Sequence, residues 1–342
     1  MKRGAIMVGI WVSLLAFPGL TAFANPNQPP PHTAPFPNLA VGETREVAKA
    51  SIALGPQMQR GISVADMIEQ RARLDEALGR LKPHRRGTVD AYVVSVALDS
   101  DPVFAREARE AGRVLASRYD AEGRTLILAG PDGMRDDRPH GSIDALVLGL
   151  AGIAERMDRD EDALVLYTTS HGAPFGLTYH YGDTGYGVLS PDRLKAVLAE
   201  LGLQRRVLIL SACYSGVFIP ALASPDTAIT TAAAGNRTSF GCEAENDWTF
   251  YGDAMINRAL RKPQGFGDAA REAGRTIAGW EARFGLFASL PQSAIGDGAK
   301  AWLADLEARM PAQATKPVGR PAIETAAAKL VSPAPPPPAA RR

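Results

Sequence analysis

Cysteine and histidine are scarce in this chain, and neither sign of charge dominates. Each scarcity removes a class of function. Two cysteines in 342 residues exclude a disulfide-dense scaffold and any iron–sulfur or zinc site built from several thiolates. The five histidines include no close pair along the chain, which weighs against a His-rich metal centre. Lys and Arg total 38 against 37 Asp and Glu. A nucleic-acid surface or a polybasic membrane tether needs a basic excess that is missing here. Beyond the first two dozen residues no long apolar run recurs, so no further membrane-spanning helix is predicted. What remains is ample apolar material, 46% hydrophobic against 22% charged. That suits a globular enzyme or binding domain with a substantial core.

The first residues read as an address. Lys2 and Arg3 precede an apolar stretch from Ala5 to Phe17, Pro18 and Gly19 break it, and Ala22-Phe23-Ala24 comes next. A charged start, an apolar middle and a small-x-small end predict a signal peptide over 1–24, cut after Ala24. The mature protein is then expected in the periplasm or outside the cell, not spanning a membrane. Residues 25–46 are Pro-rich and polar and read as a stiff linker outside any core. Residues 311–342, rich in Ala and Pro and net basic, read as a disordered tail. The body lies between, over 47–310.

Within the body a helical pattern over Val64–Leu81 comes first. Five short apolar runs then have the length and residue bias of buried strands: Tyr92–Leu98, Thr125–Ala129, Ala163–Thr168, Val207–Leu210 and Ala228–Ala233. Helical patterns separate the first four. Phe104–Arg118, Ile143–Met157 behind Ser142, and the segment opened by Ser190-Pro191-Asp192 each show an apolar side. Strands alternating with helices predict an α/β fold with a mostly parallel sheet and helices on both faces. In such folds the active residues gather beyond the carboxyl ends of the strands.

Two of those ends carry chemistry. The third run leads into Ser170-His171-Gly172, the fourth into Ser211-Ala212-Cys213-Tyr214-Ser215-Gly216. Successive strands are often neighbours, so His171 and Cys213 are expected at the same sheet edge. A cysteine attacks as thiolate, and an imidazole takes or lends the proton. Backbone N–H groups beside Gly172 and Cys213 are candidates to hold the developing oxyanion. His140 reads as a loop residue, and His32, His84 and His180 have no constellation around them in the sequence.

These ordered motifs resemble the caspase-like clan of cysteine peptidases. Within it they are most similar to the legumain family, which includes the catalytic subunit of the glycosylphosphatidylinositol transamidase. Downstream segments carry the finer likeness: Thr230-Thr231-Ala232-Ala233, Arg237-Thr238-Ser239-Phe240-Gly241-Cys242 and Thr249-Phe250-Tyr251-Gly252-Asp253. The resemblance covers roughly Thr88 to Leu260 and implies a caspase-like three-layer sandwich. It implies His171 as general base or acid, Cys213 as nucleophile and Gly172 as an oxyanion donor. It further implies a substrate pocket involving Arg106, Glu107, Ser211, Thr238, Ser239 and Asp253, with a preference for Asn or Asp before the scissile bond. Two departures bear on that preference. Legumains carry an acid where this chain has Ser211, and a histidine where it has Glu107. Cys242 is expected in the pocket wall as a small buried hydrophobe.

The expected activity is a secreted cysteine endopeptidase working through a thioester acyl-enzyme on peptide or protein substrates, without cofactor or metal. A ligase or transamidase using the same pair, and a catalytically silent binding module, are the alternatives.

Overall fold

The five apolar runs become five parallel strands of one sheet in a computed structural model that describes residues 27–133 and 137–331. The expected signal peptide lies outside the described residues, as does the chain after 331. In chain order the elements begin with α1 (Arg45–Ala53), β1 (Gln57–Gln59), α2 (Val64–Gly79), β2 (Ala91–Ala97), α3 (Pro102–Arg118), β3 (Thr125–Leu128), α4 (Ile143–Ala154) and β4 (Ala163–Thr169). A short hairpin system comes next, β5 (Gly172–Ala173), β6 (Gly176–Tyr181) and β7 (Gly185–Leu189), then α5 (Pro191–Glu200), β8 (Arg206–Ser211), α6 (Ile219–Leu222) and β9 (Thr227–Thr231). A π-helical turn over Gly252–Arg258 leads to α7 (Phe266–Phe284), β10 (Gln292–Ile295), α8 (Asp297–Glu307) and α9 (Ala322–Val331).

The main sheet runs β10-β9-β8-β4-β2-β3, parallel except for β10. Successive side chains of a strand point to opposite faces, and both faces here are apolar. Val93, Val165, Tyr167, Val207 and Ile209 meet α3, α7 and α8 on one side. Tyr92, Val94, Leu164, Leu166, Leu208 and Leu210 meet α2, α4 and α5 on the other. Every residue of β2 and β4 is buried. This is the expected three-layer α/β sandwich.

Local signals set the helix starts. Ser142 Oγ accepts from Ala145 N at 3.0 Å and Ser190 Oγ from Arg193 N at 3.1 Å. Each cap satisfies an N–H that a helix start leaves without an internal partner. The polar edge strand β10 and the glycine- and aromatic-rich β6–β7 hairpin go beyond the sequence reading. Neither has the apolar run that marks a strand buried on both faces.

Both terminal segments correct the sequence reading. The Pro-rich stretch is extended, as expected, yet it is not free of the body. The Asp183 carboxylate accepts from Thr33 N and Ala34 N, each at 2.9 Å, and Leu39 is buried with Ile52, Tyr186 and Val188. The tail, expected to be disordered from Pro311, is ordered through α9. Val318 O accepts from Trp248 Nε1 at 2.8 Å and Asn257 Nδ2 at 3.0 Å, and Ala322 N donates to Asp253 Oδ2 at 2.9 Å. The reason is polar satisfaction. Trp248, Asn257 and Asp253 are buried groups of the body that need partners, and the tail backbone supplies them.

Candidate active site

Sheet register brings the two reactive residues together. Thr169 of β4 lies opposite Ser211 of β8. His171 and Cys213 each come two residues later, so both leave the same edge at the same height. Ser170 N bridges the strand ends by donating to Ser211 O at 3.2 Å. Gly172 explains the contact between the loops: a Cβ there would lie 2.0 Å from Cys213 O. Only a glycine lets the two backbones approach this closely.

The nucleophile turn is held from the other side. Tyr214, next to Cys213, adopts φ 58°, a conformation costly for a residue with a side chain. Its N–H donates to Arg237 O at 2.8 Å, and Gly216 N donates to Ala233 O at 2.9 Å. The Cys213 sulfur accepts from Ser239 N at 3.2 Å. The sulfur also lies 3.6 Å from Ser239 O, so the 239 backbone holds it from both its N–H and its carbonyl.

His171 is held by a carboxylate that sequence reasoning missed. Asp101 Oδ2 lies 3.6 Å from His171 Nε2, and the ring packs edge-on against Phe104 at 5.1 Å between centroids. Burial alone would lower the His171 pKa. The Asp101 carboxylate, then Cys242 and the charge of Asp99, outweigh it and push the pKa up to about 11. The imidazole is therefore positively charged at neutral pH. Direct contact with the ring in turn lowers the Asp101 pKa, against the effect of burial. Asp101 is visible in the sequence as the residue before Pro102, at the start of α3 just past β2. Only its placement across the sheet edge makes it a partner of His171.

The two cysteines are half-buried free thiols. Cys242 packs, half-buried, against the Phe104 cluster. Among the described residues no hydrogen bond joins His171 to Cys213. Such catalytic contacts are often long in a free enzyme and tighten with substrate. The arrangement places a charged imidazole, a thiol with an N–H donor and a glycine backbone at one edge, which is the equipment of acyl transfer.

The expected pocket residues separate into four groups. Ser239 touches the Cys213 sulfur through its backbone, and Thr238 is exposed beside it. Arg106 is half-buried, its Nη2 donating to Ala244 O at 2.6 Å and also to Asn246 O, so it braces the 244–247 loop. Glu107 and Ser211 lie beneath the edge, both buried. The Glu107 carboxylate accepts from Tyr167 OH, from Thr169 Oγ1 at 2.8 Å, from Ser211 Oγ at 3.0 Å and from Thr249 N at 2.8 Å. This acid is a fully bonded floor to the site and is not open to substrate, a correction to its pocket role. Asp253 needs a similar correction. It is buried in the π-helical turn. Its carboxylate accepts from Asn257 Nδ2 (2.9 Å), from Arg258 Nε (3.1 Å) and Nη2 (3.3 Å), and from Ala322 N (2.9 Å). It anchors the tail, and its oxygens have no vacancy for a ligand.

Beside the site, histidines that look isolated in the sequence are assembled. His32 from the extended leader stacks on His180 of β6 with ring centroids 3.6 Å apart. Both face Asp99, with His32 Nε2 at 3.6 Å and His180 Nδ1 at 4.0 Å from its oxygens. Asp99 is buried at the end of β2, two residues before Asp101.

Residues 151–275 match the family described as the Peptidase C13 family. No match was found among curated proteins. The matched segment contains β4, His171, the hairpin, β8, Cys213 and the wall through Asp253, while Arg106 and Glu107 lie outside it. With the α/β sandwich and the His171–Cys213 edge already in place, the match identifies the chain as carrying a Peptidase C13 family domain over residues 151–275, as the resemblance to legumains implied.

Proposed function

We propose that the chain is a secreted cysteine endopeptidase that cleaves after Asn or Asp through Cys213 and His171. The observation that carries this is the convergence of His171-Gly172 and Cys213 at the edge of two adjacent parallel strands inside the matched segment. Cys213 attacks the peptide carbonyl as the thiolate beside the protonated His171, and its Sγ–carbon bond forms as the carbonyl becomes an oxyanion. Backbone N–H groups at Gly172 and Cys213 are the donors for that charge. His171, held protonated by Asp101, gives its proton to the leaving amine as the C–N bond breaks. Water, losing a proton to the now neutral imidazole, then adds to the thioester; the C–S bond breaks, releasing the acid product and the Cys213 thiolate with His171 protonated again.

The preference for Asn or Asp is carried from the resemblance, which makes Arg106 the cation of the pocket; its Nη2 is bonded to Ala244 O and Asn246 O, so substrate binding would have to free it from the 244–247 loop. Neither Glu107 nor Asp253 offers a free carboxylate there, so the pocket is weighted toward accepting oxygens of the substrate side chain. The periplasmic or secreted location rests on the Lys2–Ala24 pattern, and N-terminal sequencing of the exported protein should begin at Asn25.

Fluorogenic peptides differing only in the residue before the scissile bond test the activity beside Cys213→Ala. Turnover after Asn or Asp that disappears in the variant is expected. No turnover on any peptide, with Cys213 shown to be a free thiol, would overturn the endopeptidase reading. Product masses with an added amine nucleophile would then separate a transamidase from a silent module.

A further inference from the structure

We propose that His32, Asp99 and His180 form a binding site for a divalent transition-metal ion, with zinc the best match to their donors. Three observations converge. The first is position: one ligand atom from each residue lies within 4.8 Å of the other two. Zinc held at bonds of about 2.0–2.1 Å spaces its tetrahedral ligands by roughly 3.4 Å. His32 Nε2 lies 3.6 Å from Oδ1 and His180 Nδ1 4.0 Å from Oδ2, so each needs to move by about 1 Å or less, with the stacked rings turning, for one nitrogen of each ring and the Asp99 carboxylate to share an ion.

The second is an unanswered buried oxygen. The Asp99 side chain has no exposed surface. Its Oδ1 accepts from Asp101 N at 2.8 Å, but Oδ2 has no hydrogen-bond partner among the described residues. His180 Nε2 is likewise buried without a partner among them. The nitrogen that faces Oδ2 is the other one of that ring, Nδ1, at 4.0 Å, and a buried carboxylate oxygen is costly unless a cation or a donor reaches it.

The third is rigidity. Ser100 N donates to His180 O and His180 N to Leu98 O, each at 2.9 Å. These bonds fix Asp99 and His180 side by side before any ion arrives, which is what a preformed site requires. His32 is the movable ligand. Its Nε2 hydrogen-bonds Ser100 Oγ at 2.8 Å. That hydroxyl keeps Gly182 N at 3.0 Å and Pro30 O at 3.2 Å if the ring swings to the ion.

Two imidazoles, which are borderline donors, beside a single carboxylate suit zinc better than calcium or magnesium, which take oxygen ligands. The three-ligand set leaves a fourth position for water. An ion there would fasten the N-terminal leader to the segment that follows β2, next to the catalytic edge, where His32 Nδ1 also lies 3.9 Å from Asp101 Oδ1. The overlapping group Asp99, Asp101 and His171 belongs to the catalytic site already described.

The test uses the full chain carrying Cys213→Ser and Cys242→Ser, so that no thiol competes for metal. Equilibrium dialysis against Zn²⁺ should show one ion per chain, and Co²⁺ should give the visible absorption of a four-coordinate nitrogen–oxygen site. His32→Gln and His180→Gln should each weaken Zn²⁺ binding by about 100-fold or more. His32 lies on the leader, outside the two main cores, so its variant decides the matter if His180→Gln fails to fold. Unchanged affinity in His32→Gln, or no Zn²⁺ bound by the thiol-free chain, would overturn the site.

Discussion

Two buried carboxylates lie on either side of the catalytic edge, Glu107 inside α3 and Asp99 at the end of β2, and they are treated in opposite ways. Glu107 is surrounded by four donors from β4, β8, the 249 segment and a tyrosine. Asp99 has one oxygen bonded to its own turn, and the other has no bond among the described residues. Equal burial therefore does not mean equal role. A saturated acid is structural, because each donor around it would be stranded by its loss. Asp99, with one buried oxygen lacking a hydrogen bond among the described residues, is the acid to which we assign the metal ion. Asp101, between them in the chain and half-exposed, does a third job by holding the charge of His171.

Substitutions can break or sharpen this contrast. The largest effect is expected at the edge that both acids flank. Gly172→Ala drives a methyl to 2.0 Å from Cys213 O, so kcat/KM should fall by about 10³ or more as the two loops separate. Retention of near wild-type turnover would mean that the loops need not touch.

Glu107→Leu should be next, with a loss of about 3–5 kcal/mol in urea unfolding, since four donors lose their acceptor in a buried site. Glu107→Gln, which keeps one carbonyl oxygen, should lose clearly less. Equal losses in the two variants would argue that shape, and not hydrogen bonding, is what Glu107 contributes.

Asp101→Asn should lower kcat/KM by about 10- to 100-fold, by analogy with the orienting acids of other catalytic histidines. Its signature is a pH profile measured with a chelator present. Burial lowers the His171 pKa and Asp101 opposes that, so removing the charge brings the pKa down from about 11. The basic limb of kcat/KM should move to lower pH. An unmoved limb would assign the profile to another group. The same ion pair stabilises the fold below the ordinary histidine pKa near 6.5, and the contribution is lost as pH rises toward about 11.

The smallest effect on folding is expected from Asp99→Asn. Oδ2 makes no hydrogen bond among the described residues, so metal-free stability should change by less than about 1 kcal/mol, in contrast to Glu107→Leu. A loss of several kcal/mol in thermal or urea unfolding would erase the distinction between the two acids.

Much of the architecture is readable because it depends on local pattern. Tyr92–Leu98 and Ala163–Thr168 announce buried strands through unbroken apolar runs, and Ser190-Pro191-Asp192 announces a helix start. His171 and Cys213 stand out because each lies just past the carboxyl end of such a strand. Their pocket is less readable. Arg106 and Glu107 are adjacent in the chain, yet one braces a loop and the other lies fully buried under Ser211. Helix phase relative to the sheet separates them, and composition does not report that phase. The tail is hard to read for a related reason: its low-complexity composition says nothing of Trp248, Asn257 and Asp253, whose unmet hydrogen bonds it completes.

By itself the sequence determined the alternation of strands and helices, the two reactive residues and the family to which residues 151–275 belong. These arise from periodicity and short motifs, which act over a few residues. Only the tertiary structure decided that Asp101 faces His171, that Asp253 faces the tail, and that His32 and His180, far apart in the chain, stack over Asp99. Such pairings depend on the order of strands and on where extended termini come to rest. They are made by burial and hydrogen-bond satisfaction across the whole chain, and they leave no periodic trace along it.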